Sequence, residues 1–250
     1  GVLSGLIVYP LAAAPAALRK YRDFVDELGE DTAVWVVLRK APPLPFLPES
    51  VHGTEVLVFA VCHVGDPEEG ERLLAPVSSW GEPVGAHVGV QPFAAWQAAF
   101  DPLLEPGARN YWKSHNFTSL SDEVIDAAVR SAGSLPTAEC EIFFASLGHA
   151  ASRVPVDATA YPHRDAEFVL NVHGRWRTAG EDAAGVGWAR AFFDETAPYA
   201  TGGVYINFMT EDEDARVTAA YGPSFARLAA AKKTWDPDNR FRLNQNVRPA

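Results

Sequence analysis

The 250-residue sequence predicts an α+β fold: an antiparallel sheet with helices on one face, built from two β-α-β-β-α-β halves and followed by an irregular C-terminal strap. Three observations carry this expectation. Runs with β-branched residues and period-2 alternation interleave with runs of helical spacing. The same order of runs recurs on either side of an aperiodic bridge at 91–108. The last sixteen residues have no period at all. The expected units are residues 1–221, a substrate-binding domain, and 222–250, the strap.

Val2–Tyr9 is β-branched and alternating, which predicts a strand. Pro15–Leu28 follows with Leu18, Tyr21, Phe24, Val25 and Leu28 on one helical face, and Gly29 ends it. Thr32–Leu38 is a strand. Ala41–Ser50 carries Pro42, Pro43, Pro45 and Pro48, and so can be neither a helix nor an inner strand. Glu55–Val64 is a buried strand, Pro67–Val77 a short helix and Pro83–Val90 a weaker strand. In the second half Arg109–Phe117 is a strand, and Ser121–Ala132 a helix with Ser119 or Ser121 as N-cap and Gly133 as its stop. Strands at Glu139–Leu147 and Ala166–His173, a helix at Glu181–Thr196 and a strand at Gly203–Phe208 complete the order. Ser224–Lys233 is a last short helix. The tail beyond it, with Trp235, Phe241 and Leu243, has no element of its own and must dock onto a surface, either its own domain's or another's.

Composition narrows the function classes. Hydrophobic residues are 48% and charged residues 21%, which excludes a disordered or fibrous chain. A net charge of −11 argues against a nucleic-acid backbone or an anionic membrane as partner. No apolar run reaches the roughly 20 residues that span a bilayer. Cys62 and Cys140 sit singly in apolar strand runs and read as buried thiols of a reduced, cytoplasmic protein. The chain opens on Gly1 with a strand at once and holds one Met, Met209, as a piece of a longer polypeptide would.

Common catalytic signatures are absent. Gly185-Val186-Gly187 lies within a helical run and is followed by Arg190 where a dinucleotide fingerprint has its third glycine. Ala145-Ser146-Leu147-Gly148 lacks the first glycine of a nucleophile elbow. The seven histidines show no metal-ligand spacing, so no metal is expected. Three polar-aromatic clusters stand out instead. In Tyr205-Ile206-Asn207-Phe208, alternation places Tyr205 and Asn207 on one strand face, with Val204, Ile206 and Phe208 buried on the other. A Tyr–Asn pair can hydrogen-bond or deprotonate a polar substrate atom, although a solvent face reads the same way. Tyr161-Pro162-His163-Arg164-Asp165 is a polar entry to a strand or simply a charged turn. Arg109–Ser114 alternates aromatics and cations, as an amphipathic edge strand also does.

These clusters, together with AYG at Ala220–Gly222 and the closing run RLAAAKKTWDPDNRFRLNQNVRP, resemble the berberine bridge enzyme-like FAD-linked oxidases. The Asp236-Pro237-Asp238-Asn239 turn and Asn244-Gln245-Asn246 are the most specific part. The resemblance implies a flavoprotein oxidoreductase that uses FAD to oxidise an alcohol, sugar or amine carbon. It covers only the second part of such enzymes, whose upstream FAD-binding domain carries the diphosphate loop. By that resemblance Tyr205 is the catalytic base or its partner, Asn207 acts beside it, and Asn207, Asn244 and Asn246 approach the flavin. Tyr111, Tyr161 and His163 fall in the substrate-binding clusters, and Asp157 marks the stretch where some members carry an acidic base. The partners implied are a small-molecule substrate and the upstream FAD-binding domain. The sheet face bearing Tyr205 is an additional candidate surface for a homodimer, and the chain alone is expected to be inactive. A stand-alone binding module without redox activity is the alternative reading.

Overall fold

The computed structural model describes residues 1–210 and 216–250. Strands β1 (Val2–Pro10), β2 (Thr32–Lys40), β3 (Glu55–His63) and β4 (Gly85–Gln91) interleave with helices α1 (Ala14–Phe24) and α2 (Pro67–Leu74). After α3 (Phe93–Ala98) come β5 (Arg109–Phe117), α4 (Asp122–Ala132), β6 (Glu141–Ser146), β7 (Phe168–Trp176) and α5 (Asp182–Thr196). Two further helices, α6 (Val217–Tyr221) and α7 (Phe225–Trp235), precede the tail. One seven-stranded sheet runs in the order β4-β1-β3-β2-β6-β7-β5, antiparallel at every pairing.

Helices α1, α2, α4 and α5 pack on one face because the apolar residues of alternate strand positions point there. Leu3, Ile7 and Tyr9 of β1, Val34, Val36 and Leu38 of β2, and Leu57, Phe59 and Val61 of β3 form one core with Ile142, Phe144, Leu170 and Val172. Leu18 and Tyr21 of α1, Val124 and Ile125 of α4, and Phe192 of α5 cover them. Two buried hydroxyls are satisfied by carbonyls: Tyr9 donates to Val77 O at 2.6 Å and Tyr21 to Val34 O at 3.0 Å. Burial pushes both phenols above their usual pKa. Ser121 caps α4, its Oγ accepting from Val124 N, and Gly133 follows as the helix's C-cap. Gly185 of α5 lies against the Trp176 ring, where a Cβ would meet ring carbons at 2.4 Å, so this glycine serves helix–sheet packing.

The first half has the expected interleaving, with sheet order β4-β1-β3-β2. The second half departs from it. Its fourth strand is missing: Tyr205 is extended, but Ile206–Phe208 turn into a 3₁₀ helix, and Gly203–Phe208 joins no strand. Segments 201–203 and 206–208 instead run beside β5, where Thr201 N donates to Asn116 O at 2.9 Å. The bridge at 91–108 also contains α3, which its composition did not suggest.

The other sheet face is covered only at its two ends. Leu44, Phe46 and Leu47 of the proline-rich connection pack on Val8, Val56 and Val58. At the far end, a small cluster of Val204, Met209, Val217 and Ala220 closes over β5 and β7. The middle stays open around Trp35, which is 50% exposed.

Phe59 ties the helix-side core together through rings of Tyr9, Tyr21 and Trp80 at 5.1–5.9 Å. Phe59→Ala is expected to lose about 3–5 kcal/mol of stability, read from urea unfolding midpoints.

Candidate functional site

The open middle of the sheet is a half-enclosed cavity of about 370 Å³. Its floor is Trp35, Phe143, Ala145 and Val169, side chains that period 2 sends to the face opposite the helices. Its walls are the β6–β7 connection, which supplies Tyr161, His163 and Arg164, and the segment after α5, which supplies Tyr205 and Phe208. Aromatic rings line it almost continuously. Trp35 and Phe143 stack with centroids 5.9 Å apart and planes 4° apart. Phe143 meets Phe208 edge-on, Phe208 meets Tyr205 at 5.0 Å, and Tyr205 meets Tyr161 at 6.1 Å. Such offset and edge contacts are the favourable arrangements of aromatic pairs.

The predicted residues separate into three groups. Tyr205, Tyr161 and His163 come together in this cavity, although the extremes, Tyr161 and Tyr205, lie 44 positions apart in the chain. Asn207 joins Tyr205 directly: its Nδ2 donates to the Tyr205 hydroxyl oxygen at 2.8 Å. The pair therefore shares one side as expected, but through a 3₁₀ turn rather than strand alternation. That turn also brings Phe208 to the cavity side, where alternation had placed it opposite, and leaves Ile206 half-buried beneath. Tyr205 is half-buried and Asn207 exposed.

Tyr111 points the other way. On β5 it alternates with Trp112, and its hydroxyl accepts from Arg190 Nε of α5 at 2.8 Å, on the helix-covered face. Asn244 and Asn246 do not line the cavity; Asn244 is exposed with φ 58°. The tail reaches the site segment through the residue between them, Gln245, whose Nε2 donates to Met209 O at 3.0 Å. Asp157 is exposed at the mouth of the connection, where its carbonyl accepts from Arg227.

The histidine and tyrosine of the wall have defined states. His163 Nε2 faces Ala220 O at 3.0 Å, and since a carbonyl only accepts, Nε2 carries the proton. Burial holds the His163 pKa below 6.5, partly opposed by that bond. Burial also raises Tyr161 above 10, against the Arg164 guanidinium stacked 5.0 Å from its ring. Arg164 itself is anchored to Ala151 O and Thr159 Oγ1.

Residue-by-residue reading missed Trp35 and Phe143. Their signal was present in TAVWVVL and EIFF, where an aromatic alternates against core residues. It also missed a buried polar network beside the cavity. Arg39 donates to Glu141 at 2.9 Å, His173 Nδ1 lies 3.6 Å from the same carboxylate, and His173 Nε2 donates to Asn110 Oδ1 at 2.9 Å. Burial would raise Glu141, yet His173, Arg39 and Arg175 hold it below the usual carboxylate value. Trp112 links this network to the cavity, its ring 4.8 Å from His173 and 5.9 Å from Phe208. Asn116 of the Asn-Phe-Thr sequon is fully buried.

A mixed sheet-and-helix unit with an aromatic cavity on its uncovered face is the class of site the geometry defines. Comparison gives it relatives. Residues 204–248, which include Tyr205, Asn207 and the tail as far as Arg248, match the family model "Berberine and berberine like". The chain is 28% identical over 213 residues to an uncharacterised FAD-linked oxidoreductase, YgaK, of Bacillus subtilis, covering 84% of this chain and 46% of the relative. Over 114 residues it is 40% identical to the FAD-linked oxidoreductase fogF of Aspergillus ruber, covering 41% of this chain and 22% of that protein. Among solved structures, Physcomitrella patens BBE-like 1 superposes with a TM-score of 0.82 at 17% identity, over 100% of this chain and 54% of that one. Berberine bridge enzyme from Eschscholzia californica gives a TM-score of 0.78 at 16% identity, over 100% and 55% respectively. These structural likenesses concern the fold. The chain is related to the berberine bridge enzyme-like FAD-linked oxidoreductases, as its motifs indicated, and it spans about half the length of the relatives it matches.

The half-buried, neutral His163 yields a pH test. The unfolded chain takes up a proton at this position below about 6.5 while the fold resists it, so stability falls as pH drops from 6.5 toward the lower folded value. His163→Gln is expected to flatten that part of the urea-midpoint profile, and NMR should find the parent His163 titrating below 6.5 as the Nε2–H tautomer.

Proposed function

We propose that this chain is the substrate-binding part, with the C-terminal strap, of an FAD-dependent oxidoreductase that oxidises an alcohol, sugar or amine carbon. The observation that carries the reading is the Tyr205–Asn207 pair on the wall of a half-open aromatic cavity. A flat tricyclic ring fits such a site: the stacked Trp35–Phe143 floor and the Phe208 edge offer apolar surface of matching shape, and the cavity is open on one side. The dinucleotide end of FAD does not fit here, because Gly185 of α5 is packed on Trp176 and Arg164, the one guanidinium among the described residues lining the wall, is held by backbone and Thr159. This supports an upstream domain holding the phosphates and closing the cavity. The tail supports the same arrangement: Trp235, Phe241 and Leu243 are 83–86% exposed, more apolar surface than a free tail keeps in water. A homodimer through this same face would compete with that domain, so the face is assigned to the domain.

FAD in this position supplies the hydride acceptor. The chain's own part is to bind the substrate against the aromatic floor and to move one proton. Tyr205, once its own proton has passed to solvent at the open side of the cavity, accepts as a phenolate the proton of the substrate hydroxyl or amine and returns to the neutral phenol. Asn207 donates to the Tyr205 oxygen, a bond that strengthens when that oxygen carries negative charge. Asn207 thus orients the phenol and offsets the charge its oxygen carries as a phenolate, before the substrate proton arrives. His163, neutral and bonded to Ala220, keeps the wall in place without adding charge. Apolar lining excludes water from the reacting carbon. Nothing in the geometry favours a redox-silent binding module over this reading.

The test uses the intact enzyme with its upstream domain. Tyr205→Phe is expected to slow flavin reduction by substrate about 10²–10⁴-fold with flavin content unchanged. Asn207→Ala should cost about tenfold, the scale of one hydrogen bond. Tyr111→Phe, on the opposite face, should leave the rate near that of the parent. Stopped-flow absorbance measures all three, and full-speed reduction by Tyr205→Phe would overturn the assignment.

A further inference from the structure

The two edges of the sheet are finished differently. At one side β5 carries Arg109 and Lys113, and its outer edge is occupied: Thr201 N donates to Asn116 O, and Arg216 donates to Ser114 O at 3.3 Å. At the other side β4 has no such cover. It pairs with β1 without a bulge, from Val2↔Gln91 to Val8↔Gly85. It contains no proline and no formal charge, and residues 83–100 hold no Asp, Glu, Lys or Arg in a chain of net charge −11. Among the described residues, no loop or cap backbone group bonds to residues 85–91. Val88 is 38% and Val90 60% exposed. Edge strands are ordinarily protected by lysines, prolines, bulges or covering segments, because an open ladder recruits another strand.

We propose that β4 is a self-association edge, on which two copies of this chain pair antiparallel about a two-fold axis through Val88. The occupant is a second copy because the strand complements itself. A two-fold contact presents the same residues from both sides. With Val88 at the centre of Gly85–Gln91, the register sets Val88 opposite Val88, Ala86 opposite Val90, His87 opposite Gly89 and Gly85 opposite Gln91. Val88, Ala86 and Val90 share the helix-side face, being aligned with Gly5, Ile7 and Leu3 of β1, so that face gains apolar cross-strand pairs. On the other face each His87 meets a glycine, which leaves room for its ring where Phe46 already stacks on it at 5.8 Å. Sliding the axis to His87 would instead set the two imidazoles against each other. Charge leads to the same choice: two acidic chains repel, and a strand with uncharged flanks lets them approach without opposing like charges at the contact.

Sedimentation velocity of this chain at about 100 µM, a concentration that populates even weak dimers, should give twice the 27.1 kDa monomer mass. Val88→Lys places two ammonium groups at the axis and is expected to return the monomer, with far-UV circular dichroism unchanged. Val88→Cys should form a covalent dimer under mild oxidation, while Gln91→Cys, facing Gly85 rather than itself, should not. The parent, with Cys62 and Cys140 only, gives the background. A parent that stays monomeric at this concentration, or a dimer that survives Val88→Lys while Val88→Cys fails to cross-link, would overturn the proposal.

Discussion

The pairing of β2 with β6 is the contact on which the rest of the structure depends. Trp35↔Ala145, Val37↔Phe143 and Arg39↔Glu141 join two strand groups into one sheet across more than 100 residues of chain. Because β-strand side chains alternate, the same register that buries Val36, Leu38, Ile142 and Phe144 under helices forces Trp35 and Phe143 onto the opposite face. The cavity floor is therefore a direct consequence of core packing. A slip of one residue would exchange the two sets and lose both core and site.

The uncovered middle of the sheet has a physical cost that its surroundings reveal. Large apolar side chains in water are unfavourable at about 25 cal/mol per Å², and a domain without a use for such a surface would close it. Here both ends of that face are closed, by the proline-rich connection and by the cluster of Val204, Met209, Val217 and Ala220, while the centre is left to aromatic residues. An exposed apolar patch of this kind marks a binding surface. The polar set beside it, buried Arg39 and His173 bonded to Glu141 and Asn110, is satisfied internally and gives the floor a rigid neighbour rather than a second reactive centre.

Much of the fold was legible in the sequence. The strands, the main helices and the cap at Ser121 follow from period and punctuation, which are local properties. The family signal was legible for a related reason. The Tyr-x-Asn segment and the Asp-Pro-Asp-Asn and Asn-Gln-Asn turns hold fixed residue types at fixed spacings, and the matched segment 204–248 is where those residues lie. The side on which Tyr111 would fall was not legible, because alternation gives two faces without saying which one the helices take.

What the sequence determined by itself was the set of elements and the identity of the residues suited to chemistry, since both depend on neighbours a few positions away. Only the tertiary structure decided that Gly203–Phe208 is a turn and not a fourth strand. That outcome is set by tertiary contacts: β5 pairs with β7 on one edge, and this segment meets the other edge through Thr201 N alone before Ile206–Phe208 turn into a 3₁₀ helix, so no ladder forms. Tertiary structure also decided that Tyr205, Tyr161 and His163 line one cavity over Trp35. Their proximity comes from the sheet bringing β2, β6 and β7 side by side and from the β6–β7 connection folding back over them, contacts too distant in the chain for any local pattern to encode.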